Sequence, residues 1–293
     1  MDELKNCKIC PRNCGTNRYV SKGYCGAGDK IRINLWQKHF GEEPVISGSK
    51  GSGTVFFSNC NLNCVYCQNY QISQEGWGDD FSNEEVLEIF NKLEASDIHN
   101  LNLVTPTHFT SQLQPVLKNF KTKSKLPIVW NTNSYEKVES LKKMENLVDI
   151  YLADLKYFES SNSKKYSYAT DYFDYASKAI LEMYRQVGNL RIDENGIAQR
   201  GLLIRLLVLP NNSNRIDKIL NWIYMNFGKN IYLSVMAQYY PAFKANKFEE
   251  INRGIFKDEY EGILQLIEEY NFKNVFIQEV EQSPEWTPNF RKN

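Results

Sequence analysis

Short apolar runs rich in β-branched and aromatic residues recur along this chain, and longer stretches with apolar residues at helical spacing lie between them. The runs cover 54–57, 101–104, 127–132, 149–155, 202–209, 231–237 and 274–278, each with the length and composition of a strand. The first intervening helix is predicted to begin near Asn83, where Asn83-Glu84-Glu85 offers a cap and early negative charge. Val86, Leu87, Ile89, Phe90 and Leu93 then fall on one face. Further helices are predicted over 108–120, 135–144, 171–187, 215–227 and 257–270, and 164–201 reads as a longer excursion on the fourth crossover. Regular alternation of this kind implies parallel strands joined by helical crossovers. Six or seven units exceed a compact flavodoxin-like sheet and fall short of a closed eight-stranded barrel. The reading is an α/β partial barrel, with a doubly wound open sheet as the competing architecture.

The chain has 293 residues, 42% of them hydrophobic and 24% charged, enough for one large domain and a small appendage. Lys plus Arg and Asp plus Glu number 35 each, so no net field draws in nucleic acid or an anionic membrane. The start, Met1-Asp2-Glu3-Leu4-Lys5-Asn6, is charged and leads into cysteines rather than the apolar stretch of a secretory signal. No run approaches the roughly 18 apolar residues of a membrane span. A cytoplasmic protein with no membrane or nucleic-acid partner is expected.

All seven cysteines lie within the first 67 residues. In a reducing compartment such a cluster suits metal better than disulfides, and an odd number cannot all pair within one chain. The second group, Cys60, Cys64 and Cys67, follows the first strand directly. Three thiolates on one short loop can hold three corners of an iron-sulfur cube, and no fourth cysteine follows to close the set, which leaves one iron open to chemistry. The first group, Cys7, Cys10, Cys14 and Cys25, can complete a four-thiolate site alone. Structural zinc and a second, fully ligated iron-sulfur cluster both suit it, and the spacing does not choose.

The pattern C-x3-C-x2-C, with Tyr66 just before the last cysteine and a strand just before the first, resembles the radical S-adenosylmethionine (SAM) superfamily. Cys7-x2-Cys10-Pro11-Arg12-Asn13-Cys14-Gly15 and Gly23-Tyr24-Cys25-Gly26 narrow the resemblance. Leu103-Val104-Thr105-Pro106-Thr107-His108, Trp130 to Ser134, Ala153 to Tyr157 and Arg205 to Pro210 then appear in order at successive strand ends. Over its whole length the chain is similar to uncharacterised homologs of pyruvate formate-lyase activating enzyme. The resemblance implies a partial (β/α)6-type radical SAM barrel over 46–293 with a cysteine-rich metal-binding extension over 1–45. It also implies a 4Fe-4S cluster whose open iron is chelated by SAM. Reductive cleavage would give a 5′-deoxyadenosyl radical that abstracts hydrogen, the electron coming from a donor such as flavodoxin or ferredoxin. The target implied is a glycyl-radical-type protein; a peptide, nucleic acid or small molecule is the alternative, and a non-catalytic electron-transfer module is the reading furthest from the pattern.

Asp154 and Lys156 form the D-x-K pair that helps hold SAM in glycyl-radical activating enzymes. Two residues apart on a strand, they share a face at the barrel mouth, where Lys156 could meet the methionine carboxylate and Asp154 a ribose hydroxyl. The bland alternative is a strand-end ion pair. Asn131 and Asn133 share a face by the same alternation and need partners if buried; Asn133 could equally hold a turn or cap a helix. Arg205 sits in an apolar strand and calls for a carboxylate from SAM, substrate or Asp154. Together with Tyr66, these residues are the cofactor-binding candidates. Glycyl-radical activators usually carry Gly-Gly-Glu where this chain has Thr105-Pro106-Thr107-His108, so the SAM amino group must be met differently. His108 is expected to be solvated at a helix start, and Tyr239 and Tyr240 are candidates to line a cavity.

Overall fold

The computed structural model describes residues 2–279 and 288–291. Its strands are β1 (Ile31–His39), β2 (Ser52–Phe57), β3 (Asp79–Phe81), β4 (Leu101–Val104), β5 (Ile128–Thr132), β6 (Ile150–Asp154), β7 (Arg191–Ile192), β8 (Ala198–Leu207), β9 (Tyr232–Met236) and β10 (Asn274–Ile277). The helices are α1 (Pro44–Ser47), α2 (Tyr70–Ser73), α3 (Asn83–Glu94), α4 (Thr110–Lys121), α5 (Val138–Lys142), α6 (Ser160–Ser167), α7 (Tyr172–Val187), α8 (Ile216–Phe227) and α9 (Lys257–Glu269).

Among the described residues the sheet runs β10-β9-β8-β6-β5-β4-β2-β1-β3, with β7 on β8. From β2 to β10 every neighbouring pair is parallel, while β1 and β3 extend the β2 edge antiparallel. Each crossover therefore advances one place in the same direction. A doubly wound sheet reverses direction at a switch point, and none occurs here, which leaves the partial barrel. All seven strands read from the sequence are present; β1, β3 and the short β7 are additions. Residues 31–39, which precede the expected boundary at 45/46, are thus hydrogen-bonded into the same sheet.

Alternation along the strands separates two interiors. Val55, Leu103, Trp130, Tyr151, Ile204 and Val235 face the helices and form the main core. Val129, Ile150, Leu152 and Leu203 face inward and pack on Val45 and Ile46 of α1 with Leu190 and Ala198, filling one half of the barrel with hydrocarbon. One step further along the same strands the inward residues turn polar. Register sets Asp154 beside Arg205 and Arg205 beside Ser234, at the C-terminal ends of the strands.

Helix α3 starts at Asn83, as expected, but its cap is Ser82, one residue earlier. Ser82 Oγ accepts the Glu85 N–H at 3.2 Å and Glu85 Oε2 accepts the Ser82 N–H at 2.7 Å, a reciprocal cap worth about 1 kcal/mol. The long crossover holds α6, α7 and the short β7. Among the described residues no helix is long and apolar enough to cross a membrane.

Candidate active site

The polar end of the barrel opens on a cavity of about 610 Å³ lined by Cys60, Cys64, Cys67, Tyr66, Asn131, Asn133, Asp154, Lys156 and Arg205. Every residue expected at the barrel cofactor site therefore lines one space.

The cysteine loop is tied down along its length. His108 Nε2 lies 2.9 Å from the Ser58 carbonyl at its root. The Asn61 amide donates to the Tyr135 carbonyl at 2.6 Å, and Val65 N–H donates to the Tyr166 carbonyl at 2.8 Å. Each sulfur also has a polar neighbour. Cys60 Sγ accepts from Leu62 N–H and from Asn133 Nδ2, both at 3.4 Å. Cys64 Sγ accepts from Ser167 Oγ at 2.9 Å, and Cys67 Sγ lies 3.1 Å from Ser73 Oγ. Burial pushes all three thiols up, Cys67 to about 11, with neighbouring Cys64 adding to the effect on Cys60 and Cys67. Such groups stay protonated until a metal takes the proton's place.

Beside the loop a continuous ion-pair network crosses the barrel. Asp154 Oδ2 accepts from Lys156 Nζ at 2.8 Å and its Oδ1 from Arg205 Nε at 2.7 Å. Arg205 also donates to Asn131 Oδ1 at 2.5 Å and Glu42 Oε2 at 3.2 Å, and Glu42 Oε1 accepts from Asn131 and Asn102. Burial opposes ionisation of Asp154, but the Arg205 and Lys156 charges outweigh it and hold its pKa below the usual range. Burial likewise disfavours the Lys156 charge, and Asp154 and Cys64 more than restore it. Paired ions of this kind hold geometry more than they add stability.

Several side chains differ from expectation. His108 is buried rather than solvated, and burial drives its pKa down to about 3. Asn133 holds a turn, its Oδ1 accepting Tyr135 N–H at 2.9 Å, while its amide serves Asn61 and Cys60. Tyr239 is buried with its hydroxyl on the Ile251 carbonyl and packs edge-on to Tyr66. Tyr66 in turn accepts the Tyr157 hydroxyl at 2.6 Å. Sequence reasoning missed Glu42, Glu43 and Ser234, which also line the cavity. Two glutamates in a loop read as surface, and only the proline after them signals a fixed backbone.

The N-terminal cysteines gather separately, all as free thiols. A Cβ placed on Gly23 would meet Cys14 Sγ and Cys25 Sγ, both at 3.6 Å, so these two sulfurs flank one point. Burial pushes Cys10 up to about 12, with Cys25, Cys7 and Cys14 contributing. Among the described residues no three Cys, His, Asp or Glu side chains meet at the spacing of a single metal ion. A cuboidal cluster sets a different demand, since each thiolate meets its own iron, and the donor set of the barrel loop has the chemistry for one. Arg12, inside the first group, reaches the second: it donates to the carbonyls of Asn61 at 2.7 Å, Tyr168 at 2.5 Å and Ser167 at 3.2 Å.

Comparison with known proteins agrees with this geometry. The radical SAM superfamily model matches residues 54–223. An uncharacterized protein of Methanocaldococcus jannaschii is 32% identical over 285 residues, covering 93% of this chain and 77% of that protein. Among solved structures, Streptococcus suis SuiB bound to precursor peptide SuiA superposes with a TM-score of 0.52 at 10% identity, over 75% of this chain and 46% of SuiB. A methylornithine synthase gives 0.50 at 12% identity, over 74% of this chain and 68% of the synthase. This chain spans about half the length of SuiB, and likeness at such identities speaks for the fold alone. With the superfamily model spanning the barrel strands that carry the cysteine loop and the ion-pair network, and a relative similar along nearly the whole chain, the protein belongs to the radical SAM superfamily.

Proposed function

We propose that this protein reductively cleaves SAM at a 4Fe-4S cluster held by Cys60, Cys64 and Cys67. The observation that carries the reading is the sharing of one cavity by these three thiols and the Lys156–Asp154–Arg205 network. When bound, the cluster and SAM supply a 5′-deoxyadenosyl radical for hydrogen abstraction. The chain's own part is to hold the sulfurs with N–H and O–H donors, which tune such centres, and to present Lys156 to a carboxylate and Asp154 to a ribose hydroxyl. Asn131 and Arg205 fix Asp154 and Glu42 in place. Tyr66, backed by Tyr157 and Tyr239, forms an aromatic wall that keeps water from the reacting centre.

Cys7, Cys10, Cys14 and Cys25 form the second site in this proposal, for zinc or an iron-sulfur cluster, in an extension over 1–45 whose later part, β1, joins the sheet of the barrel over 46–293. An electron donor of the flavodoxin or ferredoxin kind in the cytoplasm completes the system. The Asp154-x-Lys156 pair favours a glycyl-radical-type protein as the target, and a peptide is the alternative, since SuiB shares the barrel and its structure holds a precursor peptide.

Anaerobic protein loaded with iron and sulfide should form 5′-deoxyadenosine from SAM when dithionite is added. A fully loaded sample that forms none overturns the proposal. Transfer of deuterium from a labelled candidate target into 5′-deoxyadenosine then selects among the targets.

A further inference from the structure

Three carboxylates line the cavity, Glu42, Glu43 and Asp154, against two permanent cations, Lys156 and Arg205. His39 also lines it, but burial lowers its pKa, so it adds no charge at neutral pH. Two of the carboxylates are fully engaged. Asp154 bonds Lys156 and Arg205, and Glu42 bonds Asn102, Asn131 and Arg205. Glu43 is different. It is only 9% exposed, and its Oε2 is buried without a partner among the described residues. A carboxylate oxygen in that condition is uncommon in a folded chain and marks a group waiting for a donor.

The backbone makes Glu43 a fixed feature of the wall. Pro44 follows it and restricts it to extended φ and ψ, observed at −50° and 147°. Ile46, two residues further on, is anchored in the hydrocarbon half of the barrel. Its carboxyl group lies near Arg205 on β8, Ser234 on β9 and the neighbouring Glu42; burial pushes its pKa up, Glu42 adds to the effect and Arg205 opposes it, so the ionised form needs a further cation. In sheet order β9 lies beyond β5 and β6, which carry the residues assigned to SAM. The unpartnered oxygen therefore sits on the β8 and β9 side of the cavity, beside the strands that carry Asn131 and Asp154.

We propose that Glu43 recognises a second ligand, one bearing an ammonium or guanidinium group, bound in the same cavity as SAM. A cationic N–H donor fills the vacant acceptor and supplies the positive charge that the ionised carboxylate needs against its burial; a neutral donor does only the first, and an anion does neither. This assignment rests on the proposed SAM chemistry for its meaning, since the cationic molecule would be the substrate.

The test uses n-butylamine, 1-butanol and butanoate as probes, with calorimetric binding to the cluster-loaded protein in the presence of SAM and to the same protein before loading. Wild type should bind n-butylammonium about tenfold more tightly than 1-butanol and should reject butanoate. Glu43→Gln should erase that preference. Glu43→Asp, whose carboxylate is drawn back by one methylene, should move the preference from n-butylamine to n-pentylamine, a change that a merely misfolded variant would not produce. Equal binding of amine and alcohol by wild type overturns the proposal. So does a Glu43→Gln protein whose Kd for SAM weakens by the same factor as its Kd for the amine, because the carboxylate then serves SAM itself. Amine selectivity in a protein that makes no 5′-deoxyadenosine leaves Glu43 as a cation site and removes the SAM reading instead.

Discussion

The two groups of cysteines use the same side chain in different surroundings. In the barrel, Cys60, Cys64 and Cys67 follow a strand, line a cavity and have every thiol pushed up by burial. In the N-terminal segment burial likewise pushes Cys10 and Cys25 up, but Cys14 is exposed, and hydrogen bonds involving Thr16, Tyr24 and Cys7 outweigh its partial burial and bring its pKa down. The barrel set offers three thiols that line the cavity; the N-terminal set offers four, none of which lines it. A thiol's neighbourhood, more than its spacing, separates a reactive centre from a structural one. Arg12 joins the two regions, with its guanidinium 4.2 Å from the Tyr24 ring centroid on one side and its hydrogen bonds on the cysteine loop and the end of α6 on the other.

The largest effect that could break this contrast is expected from Cys64→Ala, which should reduce 5′-deoxyadenosine formation to the level seen without protein, because two thiolates hold a cube poorly. Retained cleavage in that variant would remove the barrel loop from the mechanism. Next comes Cys10→Ala, which should lose the N-terminal metal and lower Tm while cluster iron in the barrel loop persists; elemental analysis of the variant and wild type reads both outcomes and identifies the second metal. If barrel iron disappears as well, the two regions are one site.

Arg12→Ala sharpens the comparison at their junction. Ser167 donates to Cys64 Sγ, and its carbonyl is one that Arg12 holds, so the variant should lower SAM cleavage about 10–100-fold, as outer-shell losses at metal sites do. The N-terminal metal content should stay at the wild-type level, and the electron paramagnetic resonance of the reduced cluster should change. Arg12→Lys should recover little, since an ammonium cannot span three carbonyls in one plane.

The smallest effect concerns the root of the barrel loop. Burial holds the folded pKa of His108 down to about 3, against about 6.5 in an unfolded chain. Its contribution to stability is fully present above pH 6.5 and is lost as pH falls from there toward 3, because only the unfolded chain takes up the proton. The slope is at most about 1.4 kcal/mol per pH unit. Denaturant titrations at pH 7, 6 and 5 should show wild type losing stability faster than His108→Gln; parallel curves would mean that the histidine is not held neutral.

Most of the barrel was legible in the sequence because buried parallel strands are apolar on both faces and stand out as runs such as Leu101 to Val104. Strand β1 was not legible. Its residues, Ile31 to His39, are buried at Ile31 and Ile33 and exposed or half-exposed later, a mixed pattern that resembles a loop as much as an edge strand. The cysteine loop could be read from local spacing, since three cysteines in C-x3-C-x2-C directly after a strand leave few chemistries open. Glu42 and Glu43 could not, because a carboxylate's value depends on which cations the fold brings beside it, here from β8, more than 160 positions further along the chain. His108 shows the same limit in reverse: its place at a helix start suggested solvent, and the packing of Arg18 and Phe109 around it decided otherwise.

The hydrocarbon plug formed by Val45 and Ile46 gives the chamber a back wall, and the carboxylates of Glu42 and Glu43 stand on the same short stretch of chain. Under the proposals above, SAM and a cationic molecule would both have to enter from the polar end of the barrel, because hydrocarbon fills the other.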